Sequence, residues 1–274
     1  MTDQELIKAA LAEDLAGGVD ITSQATIAAD ATAVADFVAR MDGVIAGINI
    51  AHAVLAEVGL TDVTLFKKDG DQVKAGDVLM TVRGNTRAIL LAERTALNFF
   101  GHLSGVATLT SKWVAEVSGT KCQVRDTRKT TPGMRTIEKY AVRMGGGTNH
   151  RMNLSDAALI KDNHIAAAGG VVAAFAQVRA AYPAAEIEIE VDNLAQLKEV
   201  LPQQPDLVLL DNMSPELCAQ AVAIANGICK LEASGGISIT NAHAFAQSGV
   251  DYIAIGALTH SAPVFDIGLD LRAE

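Results

Sequence analysis

The second half of the chain repeats one unit. Short apolar runs, each closing on polar residues or glycine, alternate with segments of helical spacing. No other feature constrains the fold as strongly. The runs are KCQVRDTRK, DAALIKDN, IEIEVDN, DLVLLDN, CKLEASGG and DYIAIGAL, and between most of them lie GGVVAAFAQVRAAY, NLAQLKEVL, SPELCAQAVAIAN and TNAHAFAQSG. Ser214-Pro215-Glu216 reads as a helix start, with Ser as the N-cap and Pro at the first helical position. Strands alternating with helices imply a parallel sheet joined by right-handed crossovers. No run is followed by the glycine spacing of a dinucleotide loop, and MGGGTN follows a helical stretch, so a βα barrel is expected rather than an open sheet.

The first third reads differently. MTDQELIKAALAEDL has the pattern of an amphipathic helix capped by Thr2 or Asp3. TAVADFVARMDGVIAG is a strand pattern broken at Asp42-Gly43, INIAHAVLAEVG is helical to Gly59, and FKKDGDQVKAGDVLMTVRGNT holds two short β runs. That last stretch resembles half of a biotinyl or lipoyl carrier module, but Lys74 lacks the acidic or Met neighbours of such an attachment site. From Thr86 to Val117 the spacing is helical, and Gly101 and Gly105 are expected to divide or bend it. The expected organisation is α/β, with an N-terminal α/β domain over 1–108 and a barrel domain over 109–274, the C-terminal tail free to pack back on the first.

Composition narrows the partners. The 274 residues carry a formal charge of −10, and no basic stripe is interleaved with aromatics, which argues against nucleic acid. The N-terminus lacks the basic start and apolar core of a signal peptide, and no apolar run approaches the ~20 residues of a membrane span. Cys122, Cys218 and Cys229 lie in apolar segments without metal-like spacing, so reduced thiols and a cytoplasmic location are expected.

Against that acidic background one segment is basic. Between Lys121 and Lys161 stand nine Lys or Arg and only three acids, Asp126, Glu138 and Asp156. Such a concentration fits a site that holds anions. In a βα barrel the residues at the C-terminal ends of the strands form the active-site mouth. That rule nominates Arg128, Lys129, Lys161, Glu190, Asp211, Ser234, Gly235, Gly236 and Gly256. Glycine loops leading into helices would cradle a phosphate. Glu190 and Asp211 offer hard oxygens for Mg²⁺ or acceptors for sugar hydroxyls. Arg128 and Arg151 suit carboxylates, and Lys129 and Lys161 serve as point charges. His150 beside Arg151 is a candidate for substrate contact, while His164 and His260 follow strand ends and are expected to orient loops. A Schiff-base aldolase using Lys161 remains a competing reading.

DTRKTTPGMRTIEKYAVRMGGGTNHRMNLSDAALIKDNH, with AERTALNFFGHLSGVAT, EIEVDNL, LVLLDNMSPE, LEASGGI and GVDYIAIGALTHSAP, closely resembles the quinolinate phosphoribosyltransferase family over nearly the whole chain. The resemblance implies an N-terminal α/β domain with an incomplete seven-stranded βα barrel. It implies transfer of phosphoribosyl from phosphoribosyl pyrophosphate to quinolinate with Mg²⁺ and decarboxylation, giving nicotinate mononucleotide for NAD biosynthesis. It further implies a homodimer in which Arg94 reaches the partner's site. Arg94, Arg128, His150 and Arg151 then surround the quinolinate carboxylates, and Lys129 and Lys161 face the reacting groups and the pyrophosphate. Glu190 and Asp211 match the carboxylates near ribose and metal; Ser234–Gly236 and Gly256–Ala257 match the 5′-phosphate cradle. A related branch linked to molybdate transport departs from the TRKTTPG and GGGTNHR motifs that are intact here.

Overall fold

A computed structural model describes residues 2–273. Helix α1 (Asp3–Leu15) begins at the N-cap Thr2, whose hydroxyl accepts the Glu5 N–H while the Glu5 carboxylate accepts the Thr2 N–H. This reciprocal box fixes the helix start. Helix α2 (Ile21–Thr26) is capped by Asp20. There follow β1 (Thr32–Ala39), β2 (Gly43–Val44), α3 (Ile48–Glu57), β3 (Asp62–Leu65), β4 (Gln72–Val73), β5 (Val78–Asn85) and α4 (Thr86–Glu116). Strand β3 has no counterpart in the sequence reading, because DVTL, although it alternates polar and apolar residues, is only four residues long and largely exposed.

The expected break in α4 is absent: the helix runs through Gly101 and Gly105. Both glycines lie where another segment crosses. A Cβ at Gly105 would sit 2.1 Å from the Pro263 carbonyl oxygen, and one at Gly101 would sit 2.8 Å from that of Phe265. Glycine does not divide the helix here; it permits close packing.

The later elements are β6 (Gln123–Arg125), α5 (Arg135–Met144), β7 (Ala158–Ile160), α6 (Asp162–Ala168), α7 (Val171–Ala181) and β8 (Ile187–Val191). After these come α8 (Leu194–Val200), β9 (Leu207–Asp211), α9 (Pro215–Ala225), β10 (Lys230–Ser234), α10 (Ala242–Gln247), β11 (Tyr252–Ala254), α11 (Ala257–His260) and β12 (Ile267–Ala273). Ser214 caps α9 by accepting the Leu217 N–H, as the Ser-Pro-Glu start requires.

The chain forms two compact units. The first takes residues 1–111, 131–146 and 259–274; the second takes 112–130 and 147–258. In the first, a four-stranded sheet has the order β12-β1-β5-β3, antiparallel throughout. Phe37, Ile45, Ile48, Leu55, Leu79, Met80, Ile89, Phe100, Leu103 and Phe265 are among its largest buried side chains, with the Lys139 side chain also fully buried. Lys74, the carrier candidate, is ion-paired with Asp42 at 2.8 Å.

In the second unit six strands are laddered in the order β6-β11-β10-β9-β8-β7, and every pairing is parallel. A seventh position is reduced to one parallel bridge between Arg125 and Thr148. The flanking residues are held by a side chain instead of a ladder: Asp126 accepts from the Asn149 side-chain amide at 2.5 Å and the His150 N–H at 2.8 Å. Strands β8 and β9 are almost wholly buried, as parallel barrel strands covered on both faces must be. Among the described residues no single helix is long and apolar enough to cross a membrane.

Candidate active site

Every strand of the second unit ends in chemistry. Lys161 directly follows β7, Glu190 is the penultimate residue of β8, Asp211 closes β9, Ser234 closes β10 and Gly256 lies just past β11. Side chains two apart on a strand share a face. In IEIEV this places Glu188 and Glu190 on one side, with Glu188 about 7 Å deeper along the strand. Glu232 stands in the same relation to Ser234.

At the rim, Glu190, Asp192 and Asp211 bring one carboxylate oxygen each within 4.8 Å of one another. The Lys161 ammonium stands 3.9 Å from Glu190 Oε2. Burial raises the Glu190 carboxyl above its ordinary range, the Lys161 charge opposes that shift, and the Asp211 charge adds to it. Lys161 is exposed beside these acids, not in the apolar pocket that a Schiff-base nucleophile needs. Asn212, in the left-handed region at φ 51°, donates to Asp211 at 2.6 Å. A Cβ at Gly235 would lie 2.2 Å from the Asn212 side-chain oxygen, so this crossing of two loops requires glycine.

Arg128 and Arg151 form the cationic counterpart. Each has a buried Nε with no hydrogen-bond partner among the described residues. Among the described residues the Arg151 guanidinium is tied at one corner, where Nη1 donates to the Ala157 carbonyl at 2.8 Å. Burial lowers its affinity for the proton, and the neighbouring Arg128 charge lowers it further, with Glu188 and Asp156 opposing. Two desolvated guanidiniums that repel each other and leave donors unsatisfied are arranged for a bound anion. Lys129 is exposed on the same loop.

Beneath this rim lies a buried polar layer. His150 Nδ1 accepts the Arg151 N–H at 2.7 Å, and Nε2 stands 2.7 Å from Glu188 Oε2 and 3.5 Å from Glu232 Oε1. Arg125 pairs with Glu232 at 2.9 Å and stacks over Tyr252 at 4.3 Å. Burial pushes both Glu188 and Glu232 up to about 7, and the Glu188 charge adds to the shift of Glu232.

The glycine loops differ in form. Gly256 leads directly into α11 at Ala257, whereas Ser238–Asn241 separates Gly235 and Gly236 from α10. The SGGIS loop therefore does not open a helix as expected; its positive-φ glycines, at 85° and 65°, shape a turn. His164 Nδ1 accepts the Lys161 N–H at 2.9 Å, which orients that loop end. His260 bonds Ser261 at 2.7 Å and belongs to the first unit.

The second unit thus holds Arg128, Lys129, His150, Arg151, Lys161, Glu190, Asp211, Ser234, Gly235, Gly236, Gly256 and Ala257 at or just below the strand ends. Arg94 belongs to the first unit, exposed on α4. Sequence reasoning missed Asp192, Arg125, Glu188 and Glu232. The signal for the glutamates was present: a charge two residues before each rim residue, inside an otherwise apolar strand.

Comparison with known proteins is consistent along the chain. Residues 20–104 match the family model of the quinolinate phosphoribosyl transferase N-terminal domain, and residues 106–270 that of the C-terminal domain. The carboxylating nicotinate-nucleotide pyrophosphorylase of Mycobacterium leprae is 50% identical over 274 residues, covering 98% of this chain and 96% of that one. The probable enzyme of the same name from Bacillus subtilis is 40% identical, covering 94% and 90%. The crystal structure of nicotinate-nucleotide pyrophosphorylase from Ehrlichia chaffeensis superposes with a TM-score of 0.95 at 41% identity, covering 99% of each chain.

Proposed function

Because the chain belongs to the quinolinate phosphoribosyltransferase family, we propose that its barrel mouth joins quinolinate to phosphoribosyl pyrophosphate. The activity is that of a carboxylating nicotinate-nucleotide pyrophosphorylase in NAD biosynthesis. The quinolinate nitrogen bonds to ribose carbon 1 as the bond to pyrophosphate breaks. The carboxylate beside that nitrogen then leaves as carbon dioxide; the electron pair left on that ring carbon is stabilised by the adjacent quaternised nitrogen and takes up a proton from water, forming the C–H bond of the product.

The observation that carries this reading is the pair of buried, unpartnered Nε groups on Arg128 and Arg151. A dicarboxylate supplies both the acceptors and the negative charge that they lack. His150 contributes from below, through the Arg151 backbone. Lys129 and Lys161 offset charge on the departing pyrophosphate, and Lys161 stays close to Glu190. Ser234–Gly236 and Gly256–Ala257 receive the 5′-phosphate, where glycine lets backbone N–H groups approach. Most of the catalysis is positioning and charge stabilisation.

The acidic cluster suits Mg²⁺, since Glu190, Asp192 and Asp211 present hard oxygens close together. When bound, the ion supplies positive charge to the pyrophosphate oxygens. Glu190 and Asp211 would hold it directly or hold the ribose hydroxyls, with Asp192 as the third donor. We further propose a homodimer in which Arg94, exposed on α4, completes the partner's quinolinate site. A cytoplasmic location is supported by three free cysteines, which a reducing compartment maintains.

The test is product formation from phosphoribosyl pyrophosphate and Mg²⁺ with either quinolinate or nicotinate. Nicotinate mononucleotide and equimolar carbon dioxide from quinolinate alone is the expected result. Product from nicotinate, or from neither acid, refutes the proposal.

A further inference from the structure

We propose that Glu188 is a positioning residue for the reaction, its carboxylate setting the ring of His150 and, through that ring, the place from which Arg151 grips its substrate. The inference rests on reading the mouth as a quinolinate site.

The geometry fixes the chain of bonds. A peptide N–H always carries its proton, so the 2.7 Å contact from the Arg151 N–H requires a bare Nδ1 on His150. The ring proton is then on Nε2. Two carboxylates face it, but Glu232 is 3.5 Å away and is held by Arg125, while Glu188 Oε2 is at 2.7 Å. Glu188 therefore accepts from His150, and His150 accepts from Arg151. Glu188 itself stands on a rigid base, laddered to Leu159 and Leu207 on either side.

Stability alone does not account for this arrangement. Glu188 is 4% exposed, and its Oε1 has no hydrogen-bond partner among the described residues. A buried carboxylate with an unsatisfied oxygen destabilises a fold relative to an apolar side chain. What it maintains is the backbone at Arg151, whose guanidinium is hydrogen-bonded, among the described residues, to Ala157. A displacement of about 1 Å at a binding group changes rates by up to ~100-fold.

Three variants separate geometry from charge. Glu188→Gln keeps an oxygen at the same reach for the His150 N–H, Glu188→Asp keeps the charge but retracts it, and Glu188→Ala removes both. The expected result is a rise of about 10- to 100-fold in KM for quinolinate in the Asp and Ala variants. KM for phosphoribosyl pyrophosphate should stay unchanged, and the Gln variant should lie near wild type. Imidazole ¹⁵N shifts should show His150 as the Nε2–H tautomer in wild type and Gln, and a changed ring in Asp. If Asp is active and Gln is not, charge and not position matters, and the proposal is overturned. Equal losses for both substrates would reduce Glu188 to a fold residue and overturn it as well. If Ala does not fold, Asp and Gln still decide. Wild-type protein that turns over no quinolinate refutes the functional reading itself, and is seen before any variant is made.

Discussion

Arg151→Lys offers a direct test of the anion site because it keeps the charge and removes only the shape. The Arg151 guanidinium gives Nη1 to the Ala157 carbonyl at 2.8 Å, and its Nε is buried and unpartnered. The free edge is thus Nε–H with Nη2–H, a fork matched to one carboxylate. A charge-assisted hydrogen bond is worth about 1.5–3 kcal/mol. Lysine retains the charge and one such bond but loses the second, so binding should weaken by about 1.5–3 kcal/mol. At about 1.4 kcal/mol per decade this is a rise of roughly 10- to 150-fold in KM for quinolinate. Initial rates with each substrate varied in turn, at saturating partner and fixed Mg²⁺, give both constants. KM for phosphoribosyl pyrophosphate should move less than twofold. A change under threefold for quinolinate, or an equal change for both substrates, would show that Arg151 does not grip the acid through that edge.

Four further outcomes follow from the same geometry. Glu188 and Glu232 are raised from 4.5 to about 7, chiefly by burial; the His150 ring lies against Glu188, the charges of Arg125, Arg151, Lys161 and Glu186 act on Glu188, and those of Glu188, His150 and Arg125 act on Glu232. The folded state keeps protons that the unfolded chain releases, so their contribution to stability is complete below pH 4.5 and lost as pH rises through about 7. Glu188→Gln should therefore gain Tm relative to wild type between about pH 5 and 8, and a constant gap would contradict the assignment. Glu190→Gln and Asp211→Asn should each weaken Mn²⁺ binding, read by spin resonance as a Mg²⁺ surrogate, while leaving the Kd of quinolinate alone unchanged; unaltered Mn²⁺ affinity would remove both as ligands. Gly105→Ala drives a methyl to within 2.1 Å of the Pro263 carbonyl oxygen and should cost about 3 kcal/mol in chemical denaturation, whereas a loss below about 1 kcal/mol would mean that the segment yields freely. Arg94→Ala and Lys161→Ala subunits, each inactive, should regain up to about a quarter of wild-type activity per site when unfolded and refolded together, because a mixed dimer carries one intact site; no recovery would place Arg94 in its own subunit's site.

Much of the fold is legible in the sequence because its signals are local. The βα rhythm, the Ser-Pro-Glu start of α9 and the capped first helix each depend on a few neighbouring residues. The departures share a cause. Gly101 and Gly105 look like helix breakers along the chain, yet their role is set by residues 263–265, far away in sequence and invisible to a local pattern. Strand β3 escapes a pattern-based reading because its alternation spans only four residues and is largely exposed, so its strand state rests on pairing with β5. The SGGIS glycines suggest a helix opening, and a turn through Ser238–Asn241 intervenes.

The sequence by itself determined the strand-end residues, the local concentration of cations and the family resemblance, since composition and spacing along a βα unit decide which side chains reach the mouth. Only the tertiary structure decided what stands beneath them. Glu188 and Glu232 lie on strands separated by β9, and their meeting at His150 depends on sheet order and register, which no single segment encodes. Burial then changes the chemistry: the same carboxylates that would be ordinary acids in water hold protons near neutrality when desolvated together.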